Sequence, residues 1–327
     1  MYRYTAYGLN ILATHPIPEL IALEGSAEPD ITIARRNRAI PSIARAAIPI
    51  ALALGACRDA TAPSVRGARI AFQRGEDTTY NIYEISPDGS ALQNLTAPLG
   101  GRNLHPSWSP DGRRLVFVSD HTPAGLYVMN ADGSGVHALT KAGPGDSYPA
   151  WSPDGSRIAF TSTRGGESDI WVAAADGSNP VQVTSFGAEA PAWTPDSRAI
   201  AYSDLSIGAI GLVDLNARQR YQISFPPSGG VDQSPAWAPD GSALAFIRST
   251  PTTTQHLYLL FAGDTTPKPI TNFSVGSDWT PVWAPSSRQL IFVHDIDYDF
   301  DLYTIGVDGT GLQPLTSGPG LDFRPSW

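Results

Sequence analysis

The sequence predicts an all-β chain, and three observations carry the prediction. Tryptophan recurs like a ruler: Trp108, Trp151, Trp193, Trp237, Trp283 and Trp327 lie 42 to 46 residues apart, each with a proline two positions earlier. Nine residues after each of the first five stands an aromatic (Phe117, Phe160, Tyr202, Phe246, Phe292), and Phe72 is a sixth of the same kind. Between these landmarks the chain runs in short period-two segments broken by turn residues, with 31 Gly and 29 Pro and no helical periodicity. Four short strands per forty-odd residues make one blade of a β-propeller; a solenoid has shorter units.

Each element of the unit has a local cause. In the stretch "HPSWSPDGRRLVFVSD" (105–120), the first strand ends at Trp108 and "SPDG" turns the chain. Proline fixes φ near −65°, aspartate takes the next turn position, and glycine supplies the positive φ of a bulged hairpin. The second strand alternates ("RLVFVS", "RIAFTS", "ALAFIR"), a third ends in an Asp-Gly turn ("GLYVMNADG", "DIWVAAADG", "DLYTIGVDG"), and a short fourth ends in "LT" or a variant. Three departures weaken hairpins without altering the count: "TPDS" follows Trp193, "APSS" follows Trp283, and "DLNARQR" replaces one Asp-Gly turn. Full units begin near Asn103, Asp146, Ala188, Asp232 and Asp278. Residues 69–96 hold only strands two to four and the terminal "DFRPSW" only strand one. The fragments complete one another, so the prediction is a six-bladed β-propeller of four-stranded antiparallel blades, closed by the C-terminal strand joining the N-terminal blade.

The repeat P-x-W-S-P-D-G-x-x-I-A-F, with its Asp-Gly hairpin and "LT", resembles that of the TolB-like six-bladed propeller family, with WD40-like Pro-Asp-Gly repeats, over residues 69–327. The match is specific for fold and weak for function, because the repeated residues are those that build blades. The resemblance implies a cell-envelope scaffold; known members contact peptidoglycan-associated lipoproteins.

The first residues read as a leader. "RRNRAIPSIARAAIPIALALGAC" (35–57) sets Arg35, Arg36, Arg38 and Arg45 before an apolar run at 46–56, too short to span a bilayer as a helix. Leu54-Gly55-Ala56-Cys57 resembles the bacterial lipobox, which implies cleavage before Cys57, acylation of that residue and, with Arg58 next, outer-membrane sorting. The alternative is an ordinary cysteine in a chance apolar stretch. About thirty residues precede the basic region, consistent with a start assigned too far upstream; the next methionine is Met129. The expected organisation is 1–56 leader and lipoprotein signal peptide, 57–68 lipidated cysteine and tether, and 69–327 propeller.

Net charge is −9 and the basic residues form no stripe, so nucleic acid is not an expected partner. One cysteine excludes a disulfide framework. No G-x-S-x-G, P-loop or HExxH occurs, so no catalytic residue and no cofactor are expected. Attention falls on strand one, which should line the channel. Five residues before each Trp stand Asn103, Asp146, Ala188, Asp232, Asp278 and Asp322. A bulged hairpin sets opposite them Ser119, Ser162, Asp204, Arg248, His294 and Arg74, giving ring pairs Asp232 with Arg248, Asp278 with His294 and Asp322 with Arg74. Asp146 is then the acid left without a cation. Two residues on lie His105, Tyr148, Ala190, Ser234, Thr280 and Arg324, large on three neighbouring blades and small on three. Channel-mouth binding candidates are therefore His105, Tyr148, Arg324 and Asp146, with the open alternative that these side chains only fill the channel. "HDIDYDFDLY" sets Asp295, Asp297, Asp299 and Asp301 at period two on one face. The first three are weak metal candidates, against a solvated acidic edge, because the glycine and terminal glutamate of a calcium loop are missing.

The expectation is a monomeric, lipid-anchored propeller at the bacterial cell envelope, facing the periplasm or exported, that binds a protein or peptide partner. The alternative is an enzyme or a small-molecule (glycan) binder using the polar half of the channel mouth.

Overall fold

The computed structural model describes residues 2–6, 9–13, 69–76, 79–140, 145–251, 253–318 and 320–327. All regular structure among them is strand. Tyr2–Ala6 and Leu9–Ala13 pair with each other in a two-stranded sheet. Cys57, the tether at 57–68 and the rest of the leader lie outside the described residues.

The remaining strands form six four-stranded sheets. Blade 1 takes its inner strand, Leu321–Ser326, from the C-terminus and pairs it with Ile70–Glu76. Blades 2 to 6 are continuous in sequence, with inner strands Asn103–Trp108, Ser147–Trp151, Ala188–Trp193, Val231–Trp237 and Ser277–Trp283. The ring is therefore closed by the two ends of the chain, which leaves no sheet edge open at the seam.

The core is divided among the six junctions between blades. Because each second strand alternates with period two and both of its faces are covered, its apolar residues go to two different neighbours. Leu115 and Phe117 pack on Ala71 and Ile82 of blade 1, whereas Val116 packs on Trp151, Ile158 and Phe160 of blade 3. The seam has its own core, in which Phe72 and Ile70 meet Ile291, Val293, Phe323 and Trp327. The six repeat aromatics, Phe72, Phe117, Phe160, Tyr202, Phe246 and Phe292, are all 0% exposed. Truncating one to alanine removes about 3 to 5 kcal/mol. In five blades this ring pairs across the ladder with Tyr83, Tyr127, Trp171, Tyr258 or Tyr303. Blade 4 is the exception: Tyr202 stands opposite Gly211, where an added Cβ would lie 2.4 Å from the tyrosine ring.

The repeat words acquire physical meanings. In "SPDG" and its variant "APDG" the glycines take φ of 65°, 71° and 74° at Gly112, Gly155 and Gly241, and Ser109 Oγ donates to Asp111 at 2.6 Å. Where glycine is missing, Ser197 (φ 60°) and Ser287 (φ 57°) accept the left-handed conformation, and their hydroxyls take the backbone N–H of Asp154 and Asp240 on the preceding blade. These departures stitch blades together. The "LT" threonine is a buried acceptor: Thr96, Thr140, Thr184, Thr271 and Thr316, with Ser224 in blade 4, each receive the N–H of the residue 14 positions earlier at 2.8 to 3.4 Å.

Candidate binding channel

The inner strands carry an irregularity that builds the channel. In every blade the register slips by one residue inside strand one, between Leu104 and Ser107, Ser147 and Ala150, Glu189 and Ala192, Gln233 and Ala236, Trp279 and Val282, and Phe323 and Ser326. The bulged residue is left-handed each time: His105 (φ 53°), Tyr148 (49°), Ala190 (53°), Ser234 (54°), Thr280 (41°) and Arg324 (52°). A proline follows each one, and it has no N–H to leave unpaired at the break. These six residues and their prolines line a central cavity of about 140 Å³.

Three bulge residues receive their acceptor from the preceding blade. The N–H of His105 bonds Gln73 Oε1 at 3.0 Å, that of Ala190 bonds Thr161 Oγ1 at 3.2 Å, and that of Ser234 bonds Ser203 Oγ at 2.9 Å. The matching residue before Tyr148 is Val118, which has no acceptor, and there the His105 ring substitutes: Tyr148 N–H donates to His105 Nδ1 at 3.3 Å. The imidazole is thereby fixed as neutral, with its proton on Nε2. It stacks on the Tyr148 ring at 4.4 Å between centroids and 10° between planes. Burial, aided by the Arg324 charge, holds the His105 pKa at about 3. From blade 1, the Arg324 guanidinium lies 4.3 Å from the Tyr148 ring centroid, and its Nη2 donates to the Tyr148 hydroxyl at 3.0 Å. Burial lowers the Arg324 pKa, while Tyr148 and Glu189 favour its charge. His105, Tyr148 and Arg324 thus form one cluster on one side of the cavity, facing Ala190, Ser234 and Thr280.

A polar layer sits beside the bulges. Arg248 grips Asp232 with two bonds of 2.6 and 2.7 Å, Arg74 grips Asp322 with two of 2.7 Å, and His294 Nδ1 lies 2.8 Å from Asp278. Burial raises the Asp322 carboxyl against the pull of Arg74. Arg74, Arg164 and Arg248 each also cover the aromatic pair of their own blade, at 5.0 to 5.4 Å. Cross-strand charge pairing and aromatic packing within a blade are one construction.

Three expectations need correction. Asp146 does have a cation: Arg164 Nη2 reaches both its oxygens at 2.8 and 2.6 Å, and Ser162 and Thr140 donate as well. Its lone pairs are taken, and it is absent from the cavity lining. The offset that pairs Asp232 with Arg248 arises at the left-handed residue inside strand one, between Gln233 and Ala236, and not at the "SPDG" hairpin. Asp295, Asp297 and Asp299 do not share one strand face, because Asp297 and Tyr298 (φ 53° and 68°) are the two residues of a hairpin turn joining Ile296 to Asp299. Asp295 instead accepts Ser277 N–H and Trp279 Nε1–H. His105, by contrast, lines the cavity as expected and in addition serves the backbone of Tyr148.

The comparisons agree with this architecture. The family model described as "TolB beta propeller domain" matches residues 64–260 and 188–327. The chain belongs to that family. The Protein TolB homolog of Chlorobium luteolum is 32% identical over 124 residues, a stretch covering 37% of this chain and 28% of the relative. TolB from Acinetobacter baumannii superposes with a TM-score of 0.72 at 19% identity, over 80% of this chain and 66% of that one. The putative TolB from Agrobacterium tumefaciens gives 0.62 at 20% identity, over 76% and 88%. The chain thus spans under a third of the matched curated relative's length. Likeness at these identities is likeness of fold.

A second, larger recess of about 530 Å³ opens between blades 3 and 4, lined in part by Val181, Phe186, Leu215 and Arg218. Nothing in the repeat pattern marks it; its lining includes the outer strand Val181–Gln182 and Arg220 of the outer strand Gln219–Gln222.

Proposed function

We propose that this chain is a lipid-anchored cell-envelope propeller, acylated at Cys57, that binds a protein or peptide partner at its central channel. The observation that carries the reading is the asymmetry of the bulge ring. Blades that share the repeat aromatic at the core present Arg324, His105 and Tyr148 on one side of the cavity and Ala190, Ser234 and Thr280 on the other. Packing alone does not call for a charged and aromatic half. Family membership and the TolB relatives support envelope placement and a protein partner. Among the described residues the cavity lining contains no carboxylate, and a histidine held near pKa 3 is a weak base, which supports binding over catalysis.

The test is affinity capture of the full chain from detergent-solubilised envelopes with mass spectrometry, beside labelling of Cys57 with a palmitate analogue. The expected result is a labelled, envelope-associated protein that recovers one defined partner, lost when Ala190→Leu fills the cavity. An unlabelled cytosolic product, or capture indifferent to that substitution, overturns the proposal.

A further inference from the structure

The channel holds one cation, Arg324, that no carboxylate among the described residues neutralises. Arg74, Arg164 and Arg248 in the polar layer each rest on a carboxylate at 2.6 to 2.8 Å. Arg220 reaches Asp204 at 3.3 Å. Arg324 breaks the rule. Among the described residues no carboxylate comes within ion-pair distance of it, and its side chain's hydrogen bond goes to a neutral phenol, Tyr148 Oη. Glu189 lies near enough to favour the charge and makes no bond to it. A guanidinium stays ionised even when desolvated, so it remains a charge in want of a counter-ion.

Space for that counter-ion is provided. Three small residues opposite leave the cavity of about 140 Å³, which suits a group of a few heavy atoms. The Arg324 guanidinium and the His105 ring both line it. The neutral His105 ring has spent its Nδ1 lone pair on Tyr148 N–H, which leaves it a donor at Nε2. Arginine and neutral histidine together offer N–H donors around one positive charge. Since His105 adds no second charge, and the chain as a whole is at −9 with Glu189 close by, a monoanion fits better than a dianion.

We propose that the channel is a carboxylate-binding site in which Arg324 takes the charge and His105 Nε2–H donates a hydrogen bond to it. The carboxylate comes either from a free small acid or from a peptide. The inference rests on the channel being the binding end of the propeller.

The test is calorimetric titration of the purified full chain with N-acetylglycine, N-acetylglycinamide, inorganic phosphate, and Ala-Ala-Gly with a free or an amidated C-terminus. The expected result is that the free acids bind and their amides are weaker by about tenfold or more. Arg324→Gln removes that preference. Ala190→Leu abolishes binding with every charge left in place, and it carries the test should Arg324→Gln fail to fold. Equal binding of acid and amide, binding unaffected by both substitutions, or phosphate binding tighter than N-acetylglycine overturns the inference. Stronger binding of the free tripeptide than of N-acetylglycine supports a peptide source, and equal binding supports a small acid. Partner capture that persists without carboxylate binding sinks this inference and leaves the envelope proposal standing; carboxylate binding without partner capture does the reverse.

Discussion

Acidification should reach this fold through His105. Its ring lies in the channel with Nδ1 already accepting Tyr148 N–H and the Arg324 charge close by, and burial keeps its pKa at about 3 against an ordinary 6.5. Between those two values the unfolded chain binds a proton that the folded chain refuses. Stability therefore rises with pH through this window and is lost as pH falls from about 6.5 towards 3. For one group shifted this far, the loss between pH 7 and pH 5 comes to about 2 kcal/mol. The assay is denaturant unfolding of the wild-type chain and of His105→Gln at pH 7, 6 and 5. Glutamine keeps an acceptor for Tyr148 N–H and does not titrate, and all other groups are common to both proteins. The stability gap should move in favour of the variant by about 2 kcal/mol on going to pH 5. A gap that stays constant over this range would refute the argument that the imidazole is held neutral by its place in the channel.

Other perturbations separate the ring's structural parts. Asp322→Asn takes the carboxylate from Arg74 and should cost about 3 to 5 kcal/mol, whereas the double change Arg74→Met with Asp322→Leu should recover most of it, both read by denaturant unfolding. Removing residues 322–327 strips Phe323 and Trp327 from the seam core that contains Phe72 and Ile291; thermal unfolding should show loss of the cooperative transition rather than the small shift of an ordinary end truncation. Gly211→Ala drives a methyl into the Tyr202 ring and should destabilise by about 1 to 3 kcal/mol, partly relieved in combination with Tyr202→Phe, where the hydroxyl contact at 2.6 Å is gone. Thr184→Val leaves Ile170 N–H buried without its acceptor and should cost about 1 to 3 kcal/mol by the same unfolding measurement.

What could be read in advance was whatever the repeat had to spell out six times. The tryptophan interval gave blade number, and the split first unit gave the closure of Leu321–Ser326 onto Ile70–Glu76, because a ring cannot bury its junctions unless its count is complete. The pairing of Asp232 with Arg248 was also legible, since a one-residue offset anywhere between them yields the same partners. The position of that offset was not legible. Left-handed backbone is advertised by glycine, and here it falls on His, Tyr, Ala, Ser, Thr and Arg, residues with no shared chemistry, so that only the proline after each one marks the site. The cation on Asp146 escaped for a related reason: Arg164 comes from beyond the end of the second strand, outside any ladder position, and reaches back along its own blade. The hairpin at Asp297 and Tyr298 hid in the same way, because its turn carries no glycine.

The bulge also decides how specificity enters a molecule whose blades are otherwise interchangeable. A regular inner strand would keep its side chains in strict alternation between the two neighbouring blades, and each residue would be bound to one of six cores. The left-handed residue leaves that alternation and lines the cavity instead, with the following proline freeing the chain from one ladder bond. Its side chain is thereby released from the packing that constrains every tryptophan and phenylalanine of the repeat. The ring consequently has six positions where sequence can vary at little cost to the fold, all converging on one cavity. That is why Arg324, a half-buried charge with no carboxylate partner among the described residues, is tolerable there, while Arg74, Arg164 and Arg248 in the polar layer beside the bulges all pair with one.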